Sequence, residues 1–247
     1  MGQITTVIFD YIGTLVNCSG YNMIASKMKL YSALVNEGFN LEADTFLEAY
    51  SKAHEKYRAI RYGEMREVTN AIWVAEALND LGYKVSPKDT SVKTALNIFF
   101  KDFTNTLKLR TGAVKLFKQT TTHCKIGLLS NFTYAPIIHF SLRQLDINKY
   151  FNAIVVSEEN SWRKPSHHIF KDILERLQVT NIEEVVYVGD SPLEDIKGAK
   201  TVGLKTVFVN SQFHSLKNLN DSNISVDFTA KNLHEVSEII KQLIKQT

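Results

Sequence analysis

The sequence predicts an α/β fold, a doubly wound, Rossmann-like parallel sheet carrying an inserted α-helical cap domain. Three observations carry that prediction. Short apolar runs recur at Ile4 to Phe9, Lys125 to Leu129, Ala153 to Val156, Val185 to Val188 and Lys205 to Val209. They lack polar alternation, the pattern of strands covered on both faces. From Ser130 onward these runs alternate with helical periodicity, at Tyr134 to Leu145, His167 to Leu177 and Leu193 to Val202, which is the signature of βαβ units. More than a hundred residues separate the first run from the second without a strand-like segment, far too long for a crossover loop.

Taken in order, the first run ends on Asp10 and is followed at once by Tyr11-Ile12-Gly13-Thr14. A carboxylate at the end of a buried strand is costly to desolvate unless a cation or several donors compensate it. The long interval then reads as four amphipathic helices, near Tyr21 to Glu37, Glu42 to Ile60, Glu67 to Leu81 and Lys88 to Phe103, separated by Gly38, Gly63 and Gly82 with Ser86-Pro87. This predicts a helical cap over residues 17–107, with a core formed by residues 1–16 and 108–247. Trp73 and Phe99-Phe100 fall at helical spacing and are expected in the cap core. Lys52, His54, Lys56, Arg58, Arg61 and Arg66 are interleaved with Glu48, Glu55, Glu64 and Glu67. That mixture fits a solvated charged face, with Arg58, Arg61 and Arg66 the candidates for contacting an anionic substrate. A helix around Thr111 to Thr122 returns the chain to the core. After the last strand come a polar stretch, Ser211 to Ser225, and a closing helix, Asn232 to Ile244.

Composition narrows the function. With 44% apolar residues in 247, the chain can bury a substantial core. No apolar run approaches the roughly 20 residues of a membrane span, and the N-terminus enters a strand with no basic region before it, so a cytoplasmic protein is expected. Cys18 and Cys124 stand far apart without metal-ligand spacing and read as ordinary residues of a reducing compartment. The net charge of +3 arises from 29 bases and 26 acids, too slight a bias to indicate nucleic acid. A small substrate is the expectation, and nothing selects between monomer and homodimer.

Four elements fall at strand ends or helix starts: Asp10 with Thr14, Ser130-Asn131, Lys164-Pro165, and Gly189-Asp190 with Asp195. In an open parallel sheet they converge on one crevice. Two acids suit a hard divalent cation, a hydroxyl and backbone donors suit phosphate oxygens, and a lysine offsets the remaining charge. Asp10 then serves as nucleophile. His167-His168 resembles a metal pair, but adjacent helical residues do not face one site, so a surface pair is expected.

The motifs FDYIGTL, LLSN, RKPSHHIF and VGDSPLEDIKGAKTVGL stand in one order along the chain, and in them the sequence resembles the haloacid dehalogenase superfamily. The resemblance implies a Rossmann-like core with a helical cap between the first two motifs. It implies that Asp10 attacks a phosphoryl group and that Mg²⁺ is held by Asp10, Asp190 and the backbone carbonyl of Ile12. Ser130 and the amide of Asn131 would bind phosphoryl oxygens, with Thr14 beside them. Lys164 would neutralise charge, and Asp195 would support the metal's waters or Lys164.

One departure stands out. Most phosphatases of that superfamily carry a second aspartate two positions after the nucleophile, and here the position is Ile12. General acid–base catalysis contributes about 10²–10⁴-fold, so its loss matters. The superfamily's dehalogenases lack the second acid too, but they also replace the metal-binding aspartate that this chain keeps as Asp190. Phosphonoacetaldehyde hydrolases add a cap lysine that forms a Schiff base, for which Lys27, Lys29, Lys52 and Lys56 are candidates. The expected function is therefore a Mg²⁺-dependent phosphatase of small phosphorylated metabolites whose acid comes from the substrate or from a cap residue such as His54. A catalytically silent member that binds a phosphorylated ligand or a partner is the alternative from another class.

Overall fold

The computed structural model describes residues 3–245. The chain begins with β1 (Thr6–Phe9) and the short β2 (Val16–Cys18), then runs through α1 (Met23–Asn36), α2 (Ala43–Gly63), α3 (Asn70–Asp80) and α4 (Thr90–Thr106). It returns through β3 (Leu107–Leu109) and α5 (Ala113–Thr120) to β4 (Lys125–Ser130), α6 (Ala135–Gln144), β5 (Ala153–Val156), α7 (Ser157–Asn160) and α8 (His167–Arg176). β6 (Val185–Gly189) leads into a π-helical turn, Pro192–Lys197, and α9 (Gly198–Thr201). β7 (Lys205–Val209), α10 (Leu216–Asp221), β8 (Phe228–Ala230) and α11 (Leu233–Lys245) complete the fold.

Six strands form one sheet in the order β5-β4-β1-β6-β7-β8, and every pairing within it is parallel. The five apolar runs read from sequence are five of these strands. Their side chains are buried nearly throughout β1, β4, β6 and β7, which explains the missing alternation. The topology places β1 at the switch point. The chain winds outward from it through β4 and β5 on one side and through β6, β7 and β8 on the other. The carboxyl end of β1 is therefore flanked by those of β4 and β6, where ligands bind in such sheets.

Four helices occupy the interval between β2 and β3, close to the expected spans. Three of their starts are capped by side chains: Asn22 accepts from the amide of Ala25, Glu42 from Thr45 and Thr69 from Ala71, filling donors that a helix start leaves open. Trp73, Phe46, Phe99 and Leu96 are buried where these helices meet, so the aromatic residues at helical spacing are indeed core. Among the described residues no helix is long and apolar enough to cross a membrane.

Three features escaped the sequence pattern. β2 and β3 pair antiparallel, with Val16 opposite Leu109 and Cys18 opposite Leu107, a ribbon too short to register as periodicity. It lies across both expected boundaries, 16/17 and 107/108. β8 is likewise three residues long. The helix expected at Leu193 to Val202 is divided, because a wide turn at Pro192–Lys197 precedes α9.

Gly198 opens α9 against α8. A methyl group there would meet the Phe170 ring at 2.5 Å and Pro165 Cα at 3.0 Å, and Phe170 is fully buried with no room to turn aside. Gly198→Ala is therefore expected to destabilise the fold by about 1–3 kcal/mol. Thermal denaturation should show it as a lower Tm, by roughly 2–4 °C per kcal/mol for a chain of this size.

Candidate active site

β1 delivers Asp10 to the crevice, and the Asp10 amide donates to Val188 O at 2.9 Å, carrying the pairing with β6 one residue past the strand. The turn that follows depends on Gly13, which has φ of 101°, a conformation that side chains disfavour. A Cβ there would also lie 2.5 Å from Asp190 Oδ2. The close approach lets Thr14 Oγ1 donate to Asp190 Oδ1 at 3.2 Å. Ser211 Oγ donates to the other Asp190 oxygen at 2.6 Å, and His214 Nδ1 stands 3.3 Å from it. Gly189 serves a matching purpose, since a Cβ on it would fall 2.4 Å from Asp195 Cβ.

Lys164 is the centre of the site. It is 2% exposed, and its Nζ lies 2.7 Å from both Asp10 Oδ1 and Asp195 Oδ1, 3.0 Å from Leu129 O and 3.1 Å from Tyr187 Oη. Burial alone would strip its proton, but Asp10 and Asp195 outweigh burial and raise its pKa well above the usual lysine value. Lys164 is therefore a fixed ammonium. Its backbone is clamped as well: Asn131 Oδ1 accepts from Lys164 N at 2.8 Å, while Asn131 Nδ2 donates to Lys164 O at 3.0 Å.

The three carboxylates differ in what they can still bind. One atom from each of Asp10, Asp190 and Asp195 lies within 4.8 Å of the others. Asp195 is saturated, because Oδ1 accepts from Lys164 and Tyr187 and Oδ2 from the amides of Asp190 and Ser191. Asp10 is not, for its Oδ2 is buried without a hydrogen-bond partner. Burial pushes the Asp10 carboxyl up to about 8, against the pull of Lys164 and with help from Asp195 and Asp190. An orphaned carboxylate oxygen beside a second acid fits a hard divalent cation held by oxygen ligands.

Asp10, Ile12, Ser130, Asn131, Asp190 and Asp195 together line a cavity of about 340 Å³, so the four sequence motifs do converge. Thr14 and Lys164 lie behind its wall, bonded to Asp190 and Asp10. The three cap arginines do not join them. Arg58 is mostly exposed and pairs with Glu55 at 3.5 Å, and Arg66 stacks over Trp162 at 4.2 Å. Arg61 donates from Nε to the buried Glu67 at 2.5 Å and lines a second cavity, of about 310 Å³, together with His54. His168 stacks on Trp162, and His167 lies tilted against His168; both are exposed, and neither lines the carboxylate cavity.

Sequence reasoning missed Tyr187, Ser211, His214 and the side-chain role of Asn131. Tyr187 sits inside an apolar run and reads as core, while Ser211 and His214 lie in the polar stretch after β7. Only the fold brings that stretch over Asp190.

Residues 7–209 match the family model for haloacid dehalogenase-like hydrolases. The chain belongs to that family. It is 28% identical to a glyceraldehyde 3-phosphate phosphatase of Methanocaldococcus jannaschii over 98% of this chain and 100% of that one. It is 24% identical to a ribulose-1,5-bisphosphate 5-phosphatase of Halopiger xanaduensis over 82% and 83% of the two chains. The crystal structure of the HAD-hydrolase YfnB from Bacillus subtilis, bound to magnesium, shares the fold with a TM-score of 0.60 at 21% identity, over 97% of this chain and 100% of that one.

The raised Asp10 pKa has a consequence for stability. An unfolded aspartate releases its proton near 4, whereas folded Asp10 holds it to about 8. Between those values the native state binds more protons than the unfolded chain, so stability falls as pH rises. Asp195, raised mainly by burial, and His214, raised mainly by its hydrogen bond to Asp190, act in the same direction. In chelator-treated protein, Tm is expected to decline from pH 5 to pH 8, and Asp10→Asn should make that decline shallower. An unchanged slope would show that Asp10 is ionised across the range.

Proposed function

We propose that the chain is a Mg²⁺-dependent phosphatase of a small phosphorylated metabolite, acting through an aspartyl phosphate on Asp10. The observation that carries this reading is the divided state of the Asp10 carboxylate. One oxygen is fixed 2.7 Å from Lys164, and the other is buried and unpartnered in the wall of the 340 Å³ cavity. A cation bound beside Asp10 would displace the proton that burial holds there, and the ionised, oriented carboxylate, with one oxygen not held by Lys164, would then be equipped for nucleophilic attack. Lys164 holds Asp10 in place and offsets the charge that an arriving phosphoryl group adds. The hydroxyl of Ser130 and the amide of Asn131, at the mouth of β4, are the donors for phosphoryl oxygens, with Thr14 holding Asp190.

Asp10, Asp190 and the backbone carbonyl of Ile12 would hold the cation, and Asp195 supports them through the Asp190 amide and Lys164. Bound there, Mg²⁺ supplies positive charge that stabilises the transferring phosphoryl group. Two relatives named as phosphatases, and a family structure bound to magnesium, support the same reading. The retained Asp190 weighs against metal-free dehalogenation. We assign residues 17–107 to a cap over a core of residues 1–16 and 108–247, with the β2–β3 ribbon as their joint.

The apolar side chain of Ile12 favours a second reading at the level of rate, a slow or silent enzyme, because no carboxylate stands two positions after Asp10 to activate water. Asp10→Asn and Asp190→Asn should each abolish Mg²⁺-dependent hydrolysis of an aryl phosphate while leaving the fold intact. Near-full turnover in either variant would overturn the assignment of nucleophile or metal ligand. Rapid mixing of the wild-type enzyme should give a product burst approaching one equivalent per site, then slower turnover as the acyl phosphate awaits water. Ile12→Asp should speed that slow phase by up to about 10²–10⁴-fold. Absence of both burst and gain would mean that another group already supplies the acid–base function or that Asp10 is never phosphorylated.

A further inference from the structure

Beside the Asp10 cavity lies the second chamber, of about 310 Å³, roofed by the cap helices and floored by the segment after β4. Asn131 lines both cavities, so the two spaces adjoin at that residue. The walls are strongly aromatic, including Tyr50, Trp73, Phe100 and Phe132. The ionisable groups of ordinary charge among them are Lys27, His54 and Arg61, and among the described residues no aspartate or glutamate lines the chamber.

Those three bases are not equivalent. Arg61 is neutralised by Glu67, at 2.5 Å. His54 is held below its ordinary pKa by burial and by the charges of Arg61, Lys27 and Arg58, against the pull of Glu55, so it adds little charge at neutral pH. Lys27 is different. No carboxylate lies within 4.0 Å of its ammonium among the described ion pairs, and its Nζ rests 5.5 Å from the centre of the Tyr50 ring. The chamber thus presents a half-buried cation beside aromatic rings, with no carboxylate paired to it.

A second observation points the same way. Trp73 Nε1 and Asn70 Oδ1 are buried without a well-formed hydrogen bond, although the Tyr50 hydroxyl stands close to both side chains, and their residues are 1% and 4% exposed. They stand three residues apart on α3 and so share one face of that helix. Both residues line the chamber. Buried polar groups left open cost stability unless something satisfies them. The indole N–H is a donor, suited to an anion's oxygen, whereas the open Asn70 atom is an acceptor, suited to a hydroxyl of the ligand.

We propose that this chamber binds a second anionic group, a carboxylate or a phosphate, carried on the leaving group of the substrate, with Lys27 as its counter-charge, Trp73 as a donor to it and Asn70 as an acceptor from a hydroxyl of the same leaving group. The proposal rests on the phosphatase reading of the Asp10 site. It selects among the substrates that the relatives' names suggest: a bisphosphorylated sugar satisfies the chamber, and glyceraldehyde 3-phosphate, whose leaving group is neutral, does not.

The test compares matched pairs on the Mg²⁺-loaded, full-length enzyme. In the carboxylate arm, 3-phosphoglycerate is set against glyceraldehyde 3-phosphate; in the phosphate arm, ribulose 1,5-bisphosphate is set against ribulose 5-phosphate. At least one doubly anionic member should exceed its partner at least tenfold in kcat/KM, and the arm that does so identifies the group. Raising the ionic strength should shrink the preference. Lys27→Met should reduce it at least tenfold through KM, Lys27→Arg should retain it, and Trp73→Phe, which removes the N–H but keeps the ring, should weaken it. Equal use of both members of each pair, or a preference untouched by Lys27→Met, would overturn the proposal even if hydrolysis of p-nitrophenyl phosphate upholds the phosphatase reading. If no phosphate ester is turned over, that reading fails, and calorimetric titration still decides the chamber. Binding of 3-phosphoglycerate or ribulose 1,5-bisphosphate that is lost in Lys27→Met supports it, and no binding overturns it.

Discussion

The buried ammonium of Lys164 is the interaction on which the site depends. Four oxygen atoms surround it within 3.1 Å, and two of them belong to carboxylates that would otherwise repel each other across the end of the sheet. Removing one partner of such a buried pair typically costs about 3–5 kcal/mol, because the charge left behind is uncompensated. Lys164 also determines what Asp10 can do. It holds one carboxylate oxygen, and the orphaned second oxygen is what gives the cavity its chemistry.

Around that ion pair the backbone is drawn in unusually close. Gly13 and Gly189 allow the turn after β1 and the end of β6 to approach Asp190 and Asp195 at distances that a Cβ would block. Asp195 then caps two successive amides, those of Asp190 and Ser191, while it accepts from Lys164 and Tyr187. Each carboxylate consequently has a different role enforced by its neighbours. Asp195 organises, Asp190 is steadied by hydroxyls, and Asp10 remains open on one side.

The cap is fastened to the core through a second buried acid. Glu67, at the connection between α2 and α3, accepts from Arg61 at 2.5 Å and from Ser157 Oγ at 2.5 Å, and Ser157 in turn receives the amide of Phe132 at 2.9 Å. Arg66 stacks on Trp162 nearby. These contacts remove Arg61 and Arg66 from the set of groups free to meet an anion. They leave Lys27, on α1, as the cation that the second chamber presents.

The sequence by itself determined the winding of the sheet, the helical insertion and the identity of Asp10, Ser130, Lys164, Asp190 and Asp195 as one constellation. It could do so because buried parallel strands must be continuously apolar, and because acids at their ends must find compensation. It also placed Trp73 and Phe99 in the cap core, since helical spacing alone puts them on one face. Tertiary structure decided the rest. Whether a charged side chain is free or already paired depends on neighbours distant in sequence, as when Glu67 takes Arg61 and leaves Lys27 alone. The same holds for Tyr187, Ser211 and His214, which look like core or loop residues until the fold sets them against Asp195 and Asp190. Strand and helix periods record which face is buried, but a hydrogen bond across the site is fixed only when separate elements meet.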